Sequence, residues 1–225
     1  MPHDRFYIDA PLDKTARLEG DEFHHLSRVM RKKEGDTIEL VNGKHKLALA
    51  SITSIDKKGA TLTLLEVTEK KPLLPPCALV QAFPKLSNLE LILQKGTELG
   101  ASSFWIFQSH LSEKKEPSPT QLKRLHQILI SAMKQCGRLD LPTLHFAFPS
   151  ALPENTYLAT LEPNAPPLSS IAKPNAALII GPEKGFTPEE LASFKKRATP
   201  VSLGPYILRT ETAAIAALAQ IQQFV

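Results

Sequence analysis

The chain has 225 residues, 42% hydrophobic and 22% charged, with a net charge of +4, the balance of an ordinary globular protein with chain enough for one large or two modest cores. No apolar run approaches the ~18–20 residues that span a bilayer, and the N-terminal MPHDRFYIDA, with an early acid and no apolar stretch, argues against a secretory signal. Cys77 and Cys136 are too few for a disulfide framework, and the seven histidines show no CxxC or HExxH spacing, so no metal is expected and the setting reads as reducing and cytoplasmic.

Residues 1–71 read mostly as strands. TIELV ends at Asn42-Gly43, a hairpin signal. KLALASITSID and ATLTLLEV follow, separated by Lys57-Lys58-Gly59, and Leu62 and Leu64 alternate with Thr61 and Thr63 as in a strand buried on one face. Between Asp21 and Arg31, EFHHLSRVMR predicts a short helix with Phe23, Leu26 and Met30 inward. The expectation is a small β-barrel with a basic edge from Arg28 through Lys33. Such modules contact nucleic acid or serve as packing domains, and both readings stay open. EKKPLLPP (69–76) is a Pro-rich linker, and the boundary is placed at 72–76.

From Cys77 onward strands alternate with helices. ALVQAF is a strand and SNLELILQKGTELG a helix closed by Gly100. SFWIF is the next strand, followed by the polar loop SHLSEKKEPSP. Gln121 to Gln135 predicts an amphipathic helix with Leu122, Leu125, Leu129, Ala132 and Met133 on one stripe. TLHF and TYLATL read as strands, and EPNAPP as a loop. Ala177–Ile180 is a buried strand that leads through Gly-Pro-Glu-Lys-Gly into a capping box, Thr187 to Glu190. Pro188 takes the first helical position, and Phe186 and Leu191 form a staple. VSL, GPYILRT and the apolar helix ETAAIAALAQIQQFV finish the chain. The alternation implies a mainly parallel α/β sheet in residues 77–225.

Three turns follow strands in the C-terminal half: Leu161-Glu162-Pro163, Gly181 to Phe186 and Leu203 to Thr210. In a parallel sheet these strands end on one side, so the turns line one crevice. Gly181, Gly185 and Gly204 leave main chain approachable. The order GPEKG excludes a phosphate-binding GxxxxGK[ST] loop, and GxGxxG is absent. Glu183 suits a cationic or zwitterionic ligand, or else caps a backbone turn. Charge is distributed as +1 over residues 1–75 (13 basic, 12 acidic), +3 over 76–150 (8 and 5) and 0 over 151–225 (6 and 6). The basic excess lies ahead of the glycine turn, as a polyanion footprint beside a small-ligand pocket would, or as a solvated basic face.

Five motifs occur in order: HHLSRVMR (24–31), LILQKGTELG (91–100), QCGR (135–138), GPEKGFTPEE (181–190) and LGPYILRTETAAIAAL (203–218). Together they resemble the bacterial ribosomal small-subunit RNA (uracil-N3-)methyltransferases of the SPOUT superfamily, over nearly the whole chain. The resemblance implies an N-terminal PUA-like β-barrel (1–71), an α/β domain with a deep trefoil knot (77–225), S-adenosyl-L-methionine as cofactor and a homodimer acting on 16S ribosomal RNA or the small ribosomal subunit. A knot is outside the general rule that chains do not thread loops.

On that resemblance the cofactor is held by Leu161, Gly181, Pro182, Glu183, Gly185, Leu203, Gly204, Ile207, Leu208, Thr210 and Ala213. Glu211 is the candidate base for the uracil N3 proton and Arg209 the candidate stabiliser of the resulting anion. The alternatives are a helix-dipole partner for Glu211 and a phosphate grip for Arg209. RNA contact is expected at Arg28, Arg31, Lys32, Lys85 and Arg138, the last alternatively a cation at a helix C-terminus. Three departures from the family pattern stand out. Lys184 breaks a glycine pair, Tyr206 replaces a basic residue before Ile-Leu-Arg, and Leu86-Ser87-Asn88 replaces a charged, glycine-containing turn. Competing readings are a non-catalytic RNA-binding or ribosome-assembly factor, and a methyltransferase of transfer RNA.

Overall fold

The computed structural model describes residues 4–112 and 116–222, so part of the polar loop at 109–119 and the last residues of the C-terminal helix motif lie outside the described residues. The chain divides into two compact units, Met1–Leu73 with Ile130–Leu141, and Leu74–Leu129 with Pro142–Val225. The first break falls inside the Pro-rich linker. The return of 130–141 to the first unit differs from the division drawn from sequence, and its cause is packing. Met133 and Leu139 are buried with Val41, flanked by Tyr7, Leu47 and Leu141. Lys134 also pairs with Glu22.

The first unit is built on five strands: β1 (Arg5–Tyr7), β2 (Thr15–Glu19), β3 (Thr37–Val41), β4 (Lys46–Ile55) and β5 (Gly59–Glu69), in the order β1-β3-β4-β5-β2. The edge strands β1 and β2 do not pair with each other, so the expected barrel is a curled half-barrel. Register shifts between Leu49/Ala50 and Ile52/Ser54 are bulges of the kind that bend a sheet on itself. Inward-facing Phe6, Leu18, Ile38, Leu40, Ile52 and Leu62 form the core. Helix α1 (Gly20–His24) runs into a π-helical turn, His25–Val29, which seats Leu26 in that core at 0% exposure. Phe23 and Met30 pack beside it, the inward face expected from sequence. The β3–β4 hairpin uses residues 42–45 rather than a two-residue turn. The Asn42 side chain accepts the Lys44 N–H at 2.9 Å, an Asx turn that absorbs two more residues.

The second unit is a six-stranded, wholly parallel sheet: β6 (Cys77–Ala82), β7 (Ser103–Phe107), β8 (Thr143–His145), β9 (Asn155–Ala159), β10 (Ala176–Ile180) and β11 (Thr199–Val201), in the order β11-β9-β10-β6-β7-β8. All five residues of β10 are buried, as expected of a central parallel strand covered on both faces. The helices are α2 (Leu86–Glu98), α3 (Pro119–Cys136, whose last turns belong to the first unit), α4 (Leu168–Ile171), α5 (Pro188–Phe194) and α6 (Thr210–Ile221). On α3, Leu125, Leu129, Ala132 and Met133 are buried as the stripe predicts, but Leu122 is exposed. It lies in the first turn after Pro119, beyond the packed length of the stripe. Gly96 of α2 lets Phe104 and Leu218 approach, since a Cβ there would stand 2.6 Å from the Phe104 ring. Strands β11, β9 and β10 are neighbours and end on the same side, which brings the turns that follow them together.

Candidate active site

A cleft of about 1000 Å³ opens at the C-terminal ends of β9, β10 and β11, at the upper end of the ~300–1,000 Å³ usual for small-molecule sites. Its wall includes Leu161, Gly181, Pro182, Glu183, Gly185, Leu203, Gly204, Ile207, Leu208, Arg209, Thr210, Glu211 and Ala213. Every residue assigned from sequence to the cofactor or to catalysis therefore borders one cavity. Lys85 lines it too. Of the other residues assigned to RNA, Arg28 and Arg31 are exposed on the first unit. Lys32 is paired with Asp4 at 2.8 Å, and Arg138 with Asp140.

Each turn has its own fastening. After β10, the Gly185 N–H bonds the Pro182 carbonyl at 2.9 Å, closing a β-turn whose left-handed residue is Gly185 at φ +73°. The turn thus asks for glycine at 185 and not at Lys184, so the lysine that breaks the family's glycine pair carries no strain. A Cβ at Gly185 or Gly204 would meet nothing within 4 Å, because both face open space. The capping box forms as read: Thr187 Oγ1 accepts the Glu190 N–H at 3.3 Å, and Glu190 Oε2 accepts the Thr187 N–H at 2.9 Å. Phe186 and Leu191 pack in one cluster with Phe107, Phe148 and Phe194. After β11, the Gln220 amide of α6 donates to the Leu203 carbonyl at 3.1 Å. After β9, Lys195 pairs with Glu162.

Glu183 Oε1 accepts the Lys85 backbone N–H at 2.9 Å and the Asn88 amide at 2.8 Å. It caps the start of α2, a partner from another segment, and also bonds within its own turn. Burial pushes this carboxyl up, but bonds from the Lys85 amide, its own N–H and Asn88, with the Lys85 charge, outweigh burial and hold it below the usual range. Asn88, in the first turn of α2, thus ties that helix to the Gly181–Gly185 turn by a directed hydrogen bond.

Arg209 is exposed at the N-cap of α6, and Glu211 stands in the first turn. The Glu211 Oε2 atom is buried without a hydrogen-bond partner among the described residues. An orphaned buried acceptor on a cleft wall is a costly arrangement that a donor from a bound molecule would relieve. Sequence reasoning missed Gln81, which lies behind the wall. Its signal was a lone amide within the apolar run CALVQA.

The residues present suit S-adenosylmethionine. Ile180, Phe186, Leu191, Leu203, Leu208 and Ala213 offer an apolar bed for a nucleoside. Gly185 and Gly204 present uncovered main chain, and the acidic residues Glu162 and Glu183 line the same cleft. No group of three or more His, Cys, Asp or Glu able to hold a metal occurs among the described residues.

Residues 69–222 match the family model for an RNA methyltransferase domain, and residues 18–65 the model for an RNA methyltransferase PUA domain. The chain is 34% identical to the ribosomal RNA small subunit methyltransferase E of Synechocystis, over 93% of this chain and 73% of that protein. Among solved structures, a methyltransferase from Legionella pneumophila with bound cofactor SAM superposes with a TM-score of 0.88 at 29% identity, covering 97% of this chain and 96% of that one. The ribosomal RNA small subunit methyltransferase E from Neisseria gonorrhoeae bound to S-adenosyl methionine gives 0.83 at 29% identity, covering 98% and 97%.

Proposed function

We propose, since this chain belongs to the RNA methyltransferase family and is an S-adenosylmethionine-dependent enzyme, that it methylates N3 of a uridine in 16S ribosomal RNA of the small subunit. The observation that carries this reading is the convergence of three strand-end turns on one cleft, in a chain whose relatives are named small-subunit ribosomal RNA methyltransferases. The cofactor, when bound, supplies an electrophilic methyl on a sulfonium. Leu161, Gly181, Pro182, Glu183, Gly185, Leu203, Gly204, Ile207, Leu208, Thr210 and Ala213 hold and orient it. Holding donor and acceptor in line is the largest contribution, on the order of 7–11 kcal/mol in favourable cases.

Glu211 takes the N3 proton, using the carboxylate oxygen that lacks a partner among the described residues. Arg209, exposed at the helix start, stabilises the negative charge spread over the uracil oxygens. The N3–methyl bond forms as the sulfur–methyl bond breaks, and the electron pair stays on sulfur. Arg28, Arg31, Lys32, Lys85 and Arg138 bind the RNA backbone.

Likeness to solved structures over nearly their full length supports the trefoil knot in the second unit. The half-buried apolar residues Ile215, Ala216 and Ala219 of α6 support a two-fold homodimer that covers them. A ribosomal RNA substrate supports a cytoplasmic setting for the enzyme. The test is methylation by the purified protein of small subunits from cells lacking it, followed by nucleoside mass analysis. One 3-methyluridine per subunit is expected; a methyl on another base, or on transfer RNA alone, would overturn the substrate reading.

A further inference from the structure

Gln81 is the one polar residue in β6 facing wholly buried surroundings, at 0% exposure beside Leu79, Val80 and Ala82 at 0%. Its carboxamide nitrogen lies 2.9 Å from the Ala82 carbonyl, 3.1 Å from the Gly181 carbonyl and 3.0 Å from Thr210 Oγ1. Carbonyls cannot donate, so this crowd of acceptors fixes which end of the amide is NH₂. Thr210 Oγ1 in turn donates to the Gly181 carbonyl at 2.6 Å. Because the hydroxyl accepts from Gln81, its own hydrogen is free to point only to Gly181. The result is a directed relay from Gln81 to Thr210 to Gly181, of the kind in which each bond polarises the next.

The relay joins three segments far apart in sequence: the end of β6, the turn after β10 and the first residue of α6. Gln81 itself is no part of the cleft wall, whereas Gly181, Thr210 and the adjoining Arg209 and Glu211 are. As a device for stability it is poor. Its Oε1 is buried with no partner among the described residues, a defect that an apolar side chain of the same length would not have.

We infer that Gln81 is a positioning residue for methyl transfer. It sets the start of α6, and with it Arg209 and Glu211, against the Gly181 turn that holds the cofactor. This rests on the reading of the cleft as the S-adenosylmethionine site.

The test uses Gln81→Met, which keeps length and removes the donors, with Thr210→Val and the double variant. In the cofactor-free proteins, amide exchange at 181–186 and 209–214 is expected to quicken about tenfold in either single variant, without a matching loss of thermal stability. S-adenosylmethionine affinity is expected to fall about tenfold, and the double variant to be no worse than the poorer single one, as for two links of one chain. Wild-type exchange rates at both segments in Gln81→Met, or additive losses in the double variant, would overturn the inference. Should Gln81→Met fail to fold, Thr210→Val alone must show the same local quickening. A wild-type protein that binds no S-adenosylmethionine would instead refute the cofactor site, since the exchange readout needs no ligand.

Discussion

The carboxylates of Glu183 and Glu211 border the same cleft, and their surroundings assign them different work. Glu183 is committed to the Lys85 N–H and the Asn88 amide, and Glu190 likewise to Thr187 and His110. Burial raises both carboxyls, but the hydrogen bonds outweigh it and both lie below the usual range. A carboxyl depressed on folding contributes stability above its unfolded value, about 4.3, and loses it as pH falls through the folded value. Protection of the Lys85 and Thr187 amides should therefore hold level from neutral pH down to about 5 and collapse below about 4. Loss between pH 7 and 5 would contradict these pairings. Glu211 has an oxygen to spare. Glu211→Gln should lower kcat by roughly 10²–10⁴-fold and leave cofactor affinity unchanged by calorimetry; full turnover would remove the base assignment. Cys77, whose thiol burial pushes up to about 12, does not line the cleft.

The elements that were legible in sequence are those whose signals are local. The Thr187 capping box, the Phe186–Leu191 staple and the apolar stripe of α3 from Leu125 onward formed as their spacing dictates, because each rests on neighbours within one or two turns. Thr187→Ala removes an acceptor from the Glu190 N–H and should cost about 1 kcal/mol, seen as a melting temperature lower by about 2–4 °C. A gain in stability would deny the cap. What escaped the sequence depends on distant partners. The open edges of the first sheet follow from β1 pairing with β3 rather than with β2, which no local pattern announces. Leu122 has the right spacing but is left exposed among the described residues. Gln81 and Asn88 acquire roles only when Thr210 and Glu183, far along the chain, are brought beside them.

At the scale of the whole molecule, the site owes its place to strand order. Three neighbouring strands, β11, β9 and β10, deliver three turns to one crevice, and all the residues assigned from sequence to cofactor and catalysis line it. The ordering of five short motifs made the family recognisable, while the return of Ile130–Leu141 to the first unit depended on packing around Val41 that sequence spacing does not reveal. Titration of the purified protein with S-adenosylmethionine, set beside Gly204→Phe, tests the central claim most directly. The new side chain starts in open space but at a φ of +149° that strains it, so the fold of the variant is checked by circular dichroism first. The account predicts one site per chain with a dissociation constant within the ~1 μM–1 mM range usual for enzyme substrates, lost in the variant. Silence from the wild type at millimolar cofactor, or equal binding by Gly204→Phe, would contradict it.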